Sequence, residues 1–478
     1  MLEWRAIARL SQPPIRQAIP ERISGKLGAF HDIQASNVSR GACVVRIICL
    51  CLLIGGPMAA QVAPVPAATQ LPGSPFSIRN NWLIGGTGSW DYLTIDPEAE
   101  RLYIAHSHSV QVVDLGSGSL AGEIKGFREA HAIALDDAGQ YGYVSDGPAN
   151  DVAVFDRSTL ETESRIPIKC SPRSIAFEPQ NRLLFAICGS SAGNSGTAPP
   201  RIHRPPGSPA RPPRPDDNLG RENSAGQSHV VVIDAEKRAP IAEIVMDGDS
   251  RFAQSDRDGH VYITVATATD PRIGGAGATY NATIPSRIVR IDSASVEEEA
   301  QRRRDAESET ASDGRVVLDW SQNRNPAGLL HVVRLPGSCG YPQGLAVDGK
   351  DLRLFVACNN QQLLVLNATN GNAVATLTTG PGDDVIDYDP ERQLIYSANG
   401  AGYGSLTIIQ QDANTDSYAV IQNLPTVARA RSLAVDPSTG LVYLVTDYVG
   451  VDLTNTAAFG SVKTSPIAGS FQVLVVGR

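Results

Sequence analysis

A single unit that recurs seven times along the chain most strongly constrains how it can fold. Each unit opens with an apolar strand that ends in an acidic turn residue, and these residues are Asp96, Asp136, Glu178, Asp256, Asp348, Asp389 and Asp436. A second strand with an aromatic residue follows, as in Tyr143-Val144-Ser145, and a third often ends in aspartate, as in Val154-Phe155-Asp156. Such a unit cannot bury its apolar faces alone and must stack against its neighbours.

The spacing of the acidic residues indicates the kind of repeat. Successive residues lie 40, 42, 78, 92, 41 and 47 positions apart. Intervals of roughly 40 to 50 residues are typical of four-stranded propeller blades. The two long intervals predict loop insertions in blades three and four, at about 189–228 and 268–330. The sequence therefore predicts an all-β fold, a seven-bladed β-propeller that spans residues 79–478.

The two ends of the repeat array predict how the ring closes. The last unit ends with the strand at 471–476 and lacks a fourth strand, whereas an unassigned strand, Trp82-Leu83-Ile84, precedes the first unit. A closed ring leaves no open sheet edge between its first and last blades. We therefore expect this N-terminal strand to complete blade seven beside the last strand. Within the second insertion, the charged segment 296–304 predicts a solvent-exposed helix.

The repeat resembles a known family. Its second strand, most clearly Tyr143-Val144-Ser145-Asp146, and its third strand ending in aspartate are similar to the YVTN-repeat, or YncE-like, seven-bladed β-propellers. The resemblance covers about residues 80–478. It implies an exported bacterial protein, in some relatives associated with the surface layer, and one relative binds single-stranded DNA. It implies no catalytic residues, because the shared positions are packing and turn residues.

The first 60 residues are predicted to be an N-terminal extension and signal peptide. Arg40 and Arg46 precede the short apolar run 47–54, and small residues follow it up to Ala60. These are the parts of a secretory signal, and the run is shorter than the roughly 20 apolar residues of a membrane span. Residues 61–78, rich in Ala and Pro, are predicted to be a flexible spacer. We therefore expect a periplasmic or secreted protein without a membrane span after signal removal.

Four cysteines in the propeller region form two matched sets. Cys170 and Cys339 each precede the first strand of a blade, and Cys188 and Cys358 end the second strand of the same two blades. Neighbouring antiparallel strands bring these two places to the same end of the blade, and exported proteins commonly carry disulfides. We therefore predict the bridges Cys170–Cys188 and Cys339–Cys358. The alternative is four buried free thiols.

The entries of the innermost strands provide the candidate binding site, because propellers bind ligands where these strands converge at the mouth of the central channel. Five positions before the acidic turn residues lie seven polar residues: Asp91, His131, Arg173, Arg251, Gln343, Asp384 and Arg431. Three arginines in such a ring suit a carboxylate, a phosphate or a sugar acid. The alternative is that these positions are polar only because they face a water-filled channel.

Motifs and charge favour binding over catalysis. The sequence has no nucleophile elbow, haem-attachment motif, phosphate loop or dinucleotide fingerprint, so we predict no cofactor. A metal site built from His106, His108 and His131, with Asp91 or Asp146, lacks the usual ligand spacing, and no metal is predicted. The chain after residue 60 carries a net charge of about −13, which argues against a nucleic-acid partner.

Three functions follow as alternatives. The main prediction is a non-enzymatic binding or surface scaffold whose partner is a small anionic ligand or a component of the cell envelope. A lactonase-like hydrolase of a sugar-acid lactone would use His131 as general acid or base, with Arg173 or Arg431 holding the acid group. Single-stranded DNA binding would require arginines interleaved with exposed aromatic side chains.

Overall fold

A computed structural model describes residues 76–189, 227–266, 285–306, 314–321, 328–339, 341–456 and 462–478. The predicted signal peptide, most of the predicted spacer and most of the first predicted insertion lie outside these residues. No helix within the described ranges is long and apolar enough to cross a membrane. The first strand, β1 (Ser77–Leu83), begins within the last residues of the predicted spacer.

The first two blades are regular four-stranded antiparallel sheets. Blade one contains β2 (Trp90–Asp96), β3 (Arg101–His106), β4 (Ser109–Asp114) and β5 (Leu120–Lys125). Blade two contains β6 (Ala130–Leu135), β7 (Tyr141–Asp146), β8 (Asp151–Asp156) and β9 (Thr162–Pro167). In both blades the chain runs outward, so the first strand of each blade lies innermost, next to the channel.

Blades three and four are linked by a strand that crosses between them. Blade three contains β10 (Ser174–Glu178), β11 (Leu183–Cys188), β12 (Gln227–Asp234) and β13 (Ala239–Asp247). Blade four contains β14 (Asp249–Ser255), β15 (His260–Ala266), β16 (Arg287–Asp292) and, after helix α1 (Ser293–Asp305) and β17 (Val316–Asp319), the strand β18 (Leu330–Arg334). β17 pairs in parallel with β13, so blade three has five strands. The repeat pattern did not predict this fifth strand.

The last three blades complete the ring. Blade five contains β19 (Pro342–Asp348), β20 (Arg353–Cys358), β21 (Gln362–Asn367) and β22 (Ala373–Thr378). Blade six contains β23 (Asp383–Asp389), β24 (Leu394–Asn399), β25 (Ser405–Asp412) and β26 (Ser417–Pro425). Blade seven contains β27 (Ser432–Asp436), β28 (Leu441–Thr446), the separate hairpin β29 (Val449–Thr456) and β30 (Val462–Pro466), then β31 (Gln472–Gly477), with β1 outermost.

The closure predicted from the sequence is confirmed. β1 pairs antiparallel with β31, so that Trp82 lies opposite Val473 and Leu83 opposite Gln472. Each innermost strand contacts the innermost strand of the next blade, and β27 of blade seven contacts β2 of blade one. The all-β, seven-bladed arrangement is therefore a closed ring that begins and ends in one sheet.

The recurring acidic residue has a local structural role. The carboxylate of Asp96 accepts the backbone N–H of Ala99 at 3.1 Å, and that of Glu178 accepts the N–H of Gln180 at 2.9 Å. An acidic side chain that binds backbone amides in this way stabilises a tight turn. The repeat therefore preserves the turn between the first two strands of each blade, which fixes where the second strand begins.

The recurring aromatic residue fills the space between neighbouring blades. The second-strand aromatics Tyr103, Tyr143, Phe185, Phe355, Tyr396 and Tyr443 are each at most 1% exposed. Tyr103 of blade one packs against Phe155 of blade two, with ring centroids 5.7 Å apart. Each aromatic side chain removes a large apolar area from water. The hydrophobic core is therefore a set of layers between adjacent blades.

The two predicted cysteine pairs lie at disulfide distance. Cys170 and Cys188 have Cα atoms 6.0 Å apart, and Cys339 and Cys358 have Cα atoms 5.3 Å apart. Each pair joins the approach to an innermost strand with the end of the second strand, at the channel mouth. Bridges of this kind persist in oxidising compartments, which indicates a location outside the cytoplasm.

Replacement of both Cys339 and Cys358 by alanine is expected to lower the free energy of unfolding by about 3 kcal/mol. The bridge spans 19 positions, and its loss returns the entropy of that loop to the unfolded chain. Urea unfolding without reductant measures the change. The reduced wild-type protein, which lacks both bridges, is the control and should be less stable than this variant. Equal stability of variant and wild type contradicts the prediction.

Candidate binding site at the channel mouth

The seven predicted site residues lie where the innermost strands begin. Asp91, His131, Arg251, Gln343 and Asp384 are among the first residues of their strands, whereas Arg173 and Arg431 directly precede β10 and β27. In every blade the innermost strand starts at the same end of the channel. The equivalent residues of all seven blades therefore lie together at that end. We call this end the mouth.

One cavity at the mouth has a volume of about 240 Å³ and is polar. Its lining includes six of the seven predicted residues: Asp91, His131, Arg173, Arg251, Asp384 and Arg431. The seventh, Gln343, lines an adjoining compartment of about 530 Å³ that shares Asp384 and Arg431 with the first. Arg251 Nη2 also donates to Gln343 Oε1 at 3.4 Å. The structure therefore brings all seven residues together, and their role in binding stays a prediction.

Two aromatic rings narrow the channel below the mouth. Tyr92 of blade one and Phe252 of blade four approach each other across the channel, with ring centroids 5.2 Å apart. Beneath them lies a smaller cavity of about 150 Å³ whose wall is both apolar, through residues such as Ile133 and Leu433, and polar, through residues such as Asp387. The mouth is therefore a shallow polar cup with an aromatic floor.

The three arginines of the mouth differ in how their charges are matched. Arg431 Nε lies 3.7 Å from the Asp384 carboxylate, and Arg251 Nη1 lies 3.6 Å from the Asp249 carboxylate. Arg173 has no carboxylate partner among the described residues, and its side chain is partly exposed to the cavity. An anionic ligand that enters the cup therefore meets one guanidinium that no carboxylate of the described residues neutralises.

His131 and Asp91 form a hydrogen-bonded pair across the boundary between blades one and two. His131 Nδ1 lies 2.9 Å from Asp91 Oδ2. A carboxylate only accepts hydrogen bonds, so Nδ1 donates, and Nε2 of the neutral ring carries the free lone pair. This arrangement orients the imidazole in the way that general bases are oriented in hydrolytic enzymes.

Burial changes the acidity of the carboxyl groups contributed by blade six. Desolvation raises the pKa of Asp384, and Asp91 raises it further, whereas Arg431 and Arg251 lower it. The neighbouring Asp383 is 1% exposed. Its burial raises its pKa to about 7, although a hydrogen bond from Thr379 works in the opposite direction. The mouth therefore holds a carboxyl group that titrates near neutral pH.

The histidines considered for a metal site are not gathered around one point. His106 is buried, stacks on Phe471 at 4.2 Å and contacts Gln111 through Nδ1 at 2.9 Å. Asp146 accepts backbone N–H groups of Arg128 and Glu129. His108 is exposed. In the part of the chain that the structure describes, no group of three or more His, Cys, Asp or Glu residues is arranged to hold a metal ion.

Sequence reasoning missed several residues of the mouth. Ser171 lines the smaller compartment, and Asp383 and Arg429 line the larger one. The Arg429 guanidinium lies 4.9 Å over the ring of Trp90, and its Nε lies 2.9 Å from the Asp447 carboxylate. Ser171 and Arg429 each lie two positions before a predicted ring residue. These residues lie in the loops that lead into β10 and β27, and Arg429 has a positive φ, so the alternation of side chains along a strand gave no signal for them.

Comparison with known proteins identifies the fold. No family model matches the sequence, and no curated protein matches it. The solved structure titled "Crystal structure of RRP9 WD40 repeats" is 9% identical, with a TM-score of 0.53, and the match covers 86% of this chain and 100% of that chain. "Structure of U3-55K" is also 9% identical, with a TM-score of 0.52 and coverage of 82% and 97%.

A third solved structure, "Crystal Structure of Mitotic Checkpoint Complex", is 11% identical with a TM-score of 0.51, and the match covers 87% of this chain and 100% of that chain. Similarity at this level of identity shows the fold alone, and the specific YVTN-repeat family is not confirmed. The chain is thus a seven-bladed β-propeller with WD40-repeat proteins as its structural neighbours.

Proposed function

We propose that this protein is an exported binding protein whose channel mouth holds a small polyhydroxylated carboxylic acid, such as a sugar acid. The observation that carries the proposal is the single polar cup lined by Arg173, Arg251 and Arg431 from three different blades, together with Asp91 and Asp384. The two disulfides support export, because such bridges are rare in the cytoplasm.

The chemistry of the cup matches both halves of such a ligand. A guanidinium can donate two parallel hydrogen bonds to one carboxylate. Among the described residues, no carboxylate pairs with the Arg173 guanidinium, so it can bind the carboxylate of the ligand. The carboxylates of Asp91 and Asp384 can accept hydrogen bonds from the hydroxyl groups of a sugar. A ligand without hydroxyl groups cannot donate these hydrogen bonds. A volume of about 240 Å³ suits one sugar unit, and the adjoining compartment leaves room for a substituent.

Replacement of Arg173 by alanine is expected to weaken binding of D-glucuronate by about tenfold to a hundredfold, because a charge-assisted hydrogen bond to the carboxylate is lost. Isothermal titration calorimetry measures the affinity. Arg257→Ala is the matched control, since Arg257 lies in the turn after β14 at the opposite end of the channel and pairs with Asp137. D-glucose, which lacks the carboxylate, should bind wild type and variant equally weakly.

Two results would contradict the proposal. Wild-type protein that binds none of a panel of D-glucuronate, D-galacturonate and D-gluconate at millimolar concentration shows that the mouth is not a sugar-acid site. Equal affinity of wild type and Arg173→Ala shows that the ligand lies elsewhere.

One observation favours a second candidate function, the hydrolysis of a sugar-acid lactone. The hydrogen bond between His131 and Asp91 leaves Nε2 free as a base inside the same cup. A general base at this place can activate an attacking group. Arg173 or Arg431 would then hold the acid group, as the sequence predicted.

A further inference from the structure

Ser171 occupies an unusual place at the wall of the cup. It lies between Cys170, which is bridged to Cys188, and the buried Pro172. The bridge and the proline ring restrict the backbone on both sides of the serine. Its side chain is partly exposed and lines the same cavity as His131 and Asp91. The hydroxyl forms no hydrogen bond with any other residue that the structure describes, so it is free to rotate toward a partner.

Gly147 shows how close this hydroxyl is to the histidine. A Cβ atom on Gly147 would lie 2.7 Å from His131 Nε2 and 3.1 Å from Ser171 Oγ. The two atoms therefore border the same small opening, which the missing side chain of Gly147 leaves free. The backbone does not require glycine here, because Gly147 is not among the glycines with positive φ. Because glycine has no side chain, this position leaves open space beside His131 Nε2 and Ser171 Oγ.

The side chains of Asp91, His131 and Ser171 come from successive blades, in the order acid, histidine and serine that catalytic triads have. Asp91 of blade one accepts from Nδ1 of His131 of blade two, and Nε2 of that ring faces the opening shared with Ser171 at the entry to blade three. In hydrolytic enzymes a serine nucleophile is activated by a histidine that takes the proton of its hydroxyl group, and a carboxylate orients that histidine.

We propose that Asp91, His131 and Ser171 form a nucleophilic site that hydrolyses carboxylic esters or lactones whose acyl half bears a further carboxylate. The inference rests on the proposed function, because the same cup has to bind the acidic acyl group. Arg173 lies two residues after Ser171 and its guanidinium lines the cavity. It supplies the positive charge that an acidic substrate, or the oxyanion formed on it, requires.

The reaction balances with water as the only co-reactant. Ser171 Oγ bonds to the carbonyl carbon and its proton passes to His131 Nε2; the bond from that carbon to the alcohol oxygen then breaks, and the alcohol leaves with the proton from Nε2. In the second half, water attacks the acyl-serine, His131 takes a proton from the water, and Ser171 Oγ leaves and recovers that proton. The products are a carboxylic acid and an alcohol, and with a lactone both groups remain in one molecule.

The test uses p-nitrophenyl hydrogen succinate as the probe, because its acyl half carries a free carboxylate. Wild-type protein is expected to release nitrophenol and, after an acid quench, to carry a succinyl group on the peptide that contains Ser171. Ser171→Ala should lose the label, and its turnover should fall about 1000-fold or to the uncatalysed rate. Ser158→Ala is the matched control, because Ser158 lies in an exposed turn at the opposite end of blade two, and it should behave as wild type.

Gly147→Ala provides a second, independent variant. Its methyl group enters the opening between Nε2 and Oγ, so we expect loss of the succinyl label although all three reacting side chains remain. D-glucuronate should compete with the probe and protect Ser171 in the wild-type protein. Circular dichroism is the folding control, and both variants are expected to keep the β-sheet signal of the wild-type protein.

The outcomes separate this inference from the proposed function. If the wild-type protein binds D-glucuronate but Ser171 is never acylated, the nucleophilic site is wrong and the binding function stands. If turnover persists in Ser171→Ala, His131 activates water directly and the covalent route is overturned. If the protein neither binds D-glucuronate nor reacts, both proposals fail.

Discussion

Replacement of Arg157 by methionine is expected to lower the free energy of unfolding by about 3–5 kcal/mol. Arg157 is buried at the boundary between blades one and two, at the end of the propeller opposite the mouth. Its Nε donates to Asp96 Oδ2 at 3.1 Å, and its Nη1 donates to the carbonyl oxygen of Asp136 at 3.0 Å. The side chains of both aspartates are at most 3% exposed. Loss of the guanidinium therefore leaves two buried carboxylates without their cation.

Urea unfolding followed by tryptophan fluorescence measures this effect. Arg257→Met is the control, because the pair of Arg257 with Asp137 is exposed and such pairs contribute at most about 1 kcal/mol. Adding Asp96→Asn to Arg157→Met should restore part of the lost stability, since it removes one of the two uncompensated charges. A loss in Arg157→Met no larger than in the control would show that the network does not hold the first two blades together.

The second large effect concerns pH. Replacement of Asp383 by asparagine is expected to remove much of the loss of stability that the wild-type protein shows between about pH 4 and pH 7. An aspartate in the unfolded chain has a pKa near 3.8, whereas burial raises that of Asp383 to about 7. Over this range the folded state keeps a proton on Asp383 that the unfolded state has released, so the contribution of this group to stability is greatest below pH 4 and falls as pH rises. Three pH units correspond to about 4 kcal/mol at most.

Urea unfolding at intervals from pH 4 to pH 8 tests this prediction. The two proteins should be similar near pH 4, and Asp383→Asn should be the more stable above pH 7. Asp387, whose burial raises its pKa to about 6, leaves the variant with a weaker slope of the same sign. Asp258→Asn, in an exposed turn, is the control and should follow the wild-type curve. Parallel curves for Asp383→Asn and wild type would show that Asp383 is ionised throughout.

The turn residues explain why the ring of blades was predictable. Each acidic residue, such as Asp96 or Glu178, stabilises a turn inside its own blade, so its spacing records blade length without reference to distant contacts. Ring closure followed from counting strands, because β31 had no outer neighbour in the last unit and β1 had no blade of its own. Local chemistry and strand count together fixed the architecture.

The fifth strand of blade three was not predictable in the same way. β17 has only four residues, and it pairs with Ala242–Val245 of β13, far earlier in the chain. A short apolar segment can pair with any uncovered sheet edge, and no turn residue in the sequence specifies the edge with which it pairs. A buried contact accompanies the pairing in the structure, since Arg315 Nε, next to β17, lies 3.2 Å from the Glu243 carboxylate of β13. Such a pairing of distant residues leaves no periodic trace.

The mouth shows the same division between periodic and individual features. Its seven ring residues were found because the blade period places them at equivalent strand entries. Ser171 and Arg429 lie in the loops that precede β10 and β27, outside the regular strands, so the blade period did not identify them. Asp383 is adjacent to Asp384, and its raised pKa depends on burial, which the sequence does not display.

The pairing of β1 with β31 also determines how the propeller responds to a mechanical load. Ser77 lies opposite Gly477, and the Arg478 guanidinium stacks 4.9 Å over the ring of Phe76, so the chain enters and leaves the ring side by side. A force that pulls these two ends apart acts perpendicular to the strands. It loads one hydrogen-bonded residue pair at a time, from Ser77 toward Leu83, and so separates β1 from β31 step by step. Tension between the ends would therefore open blade seven first and at low force, while the other six blades keep their sheets.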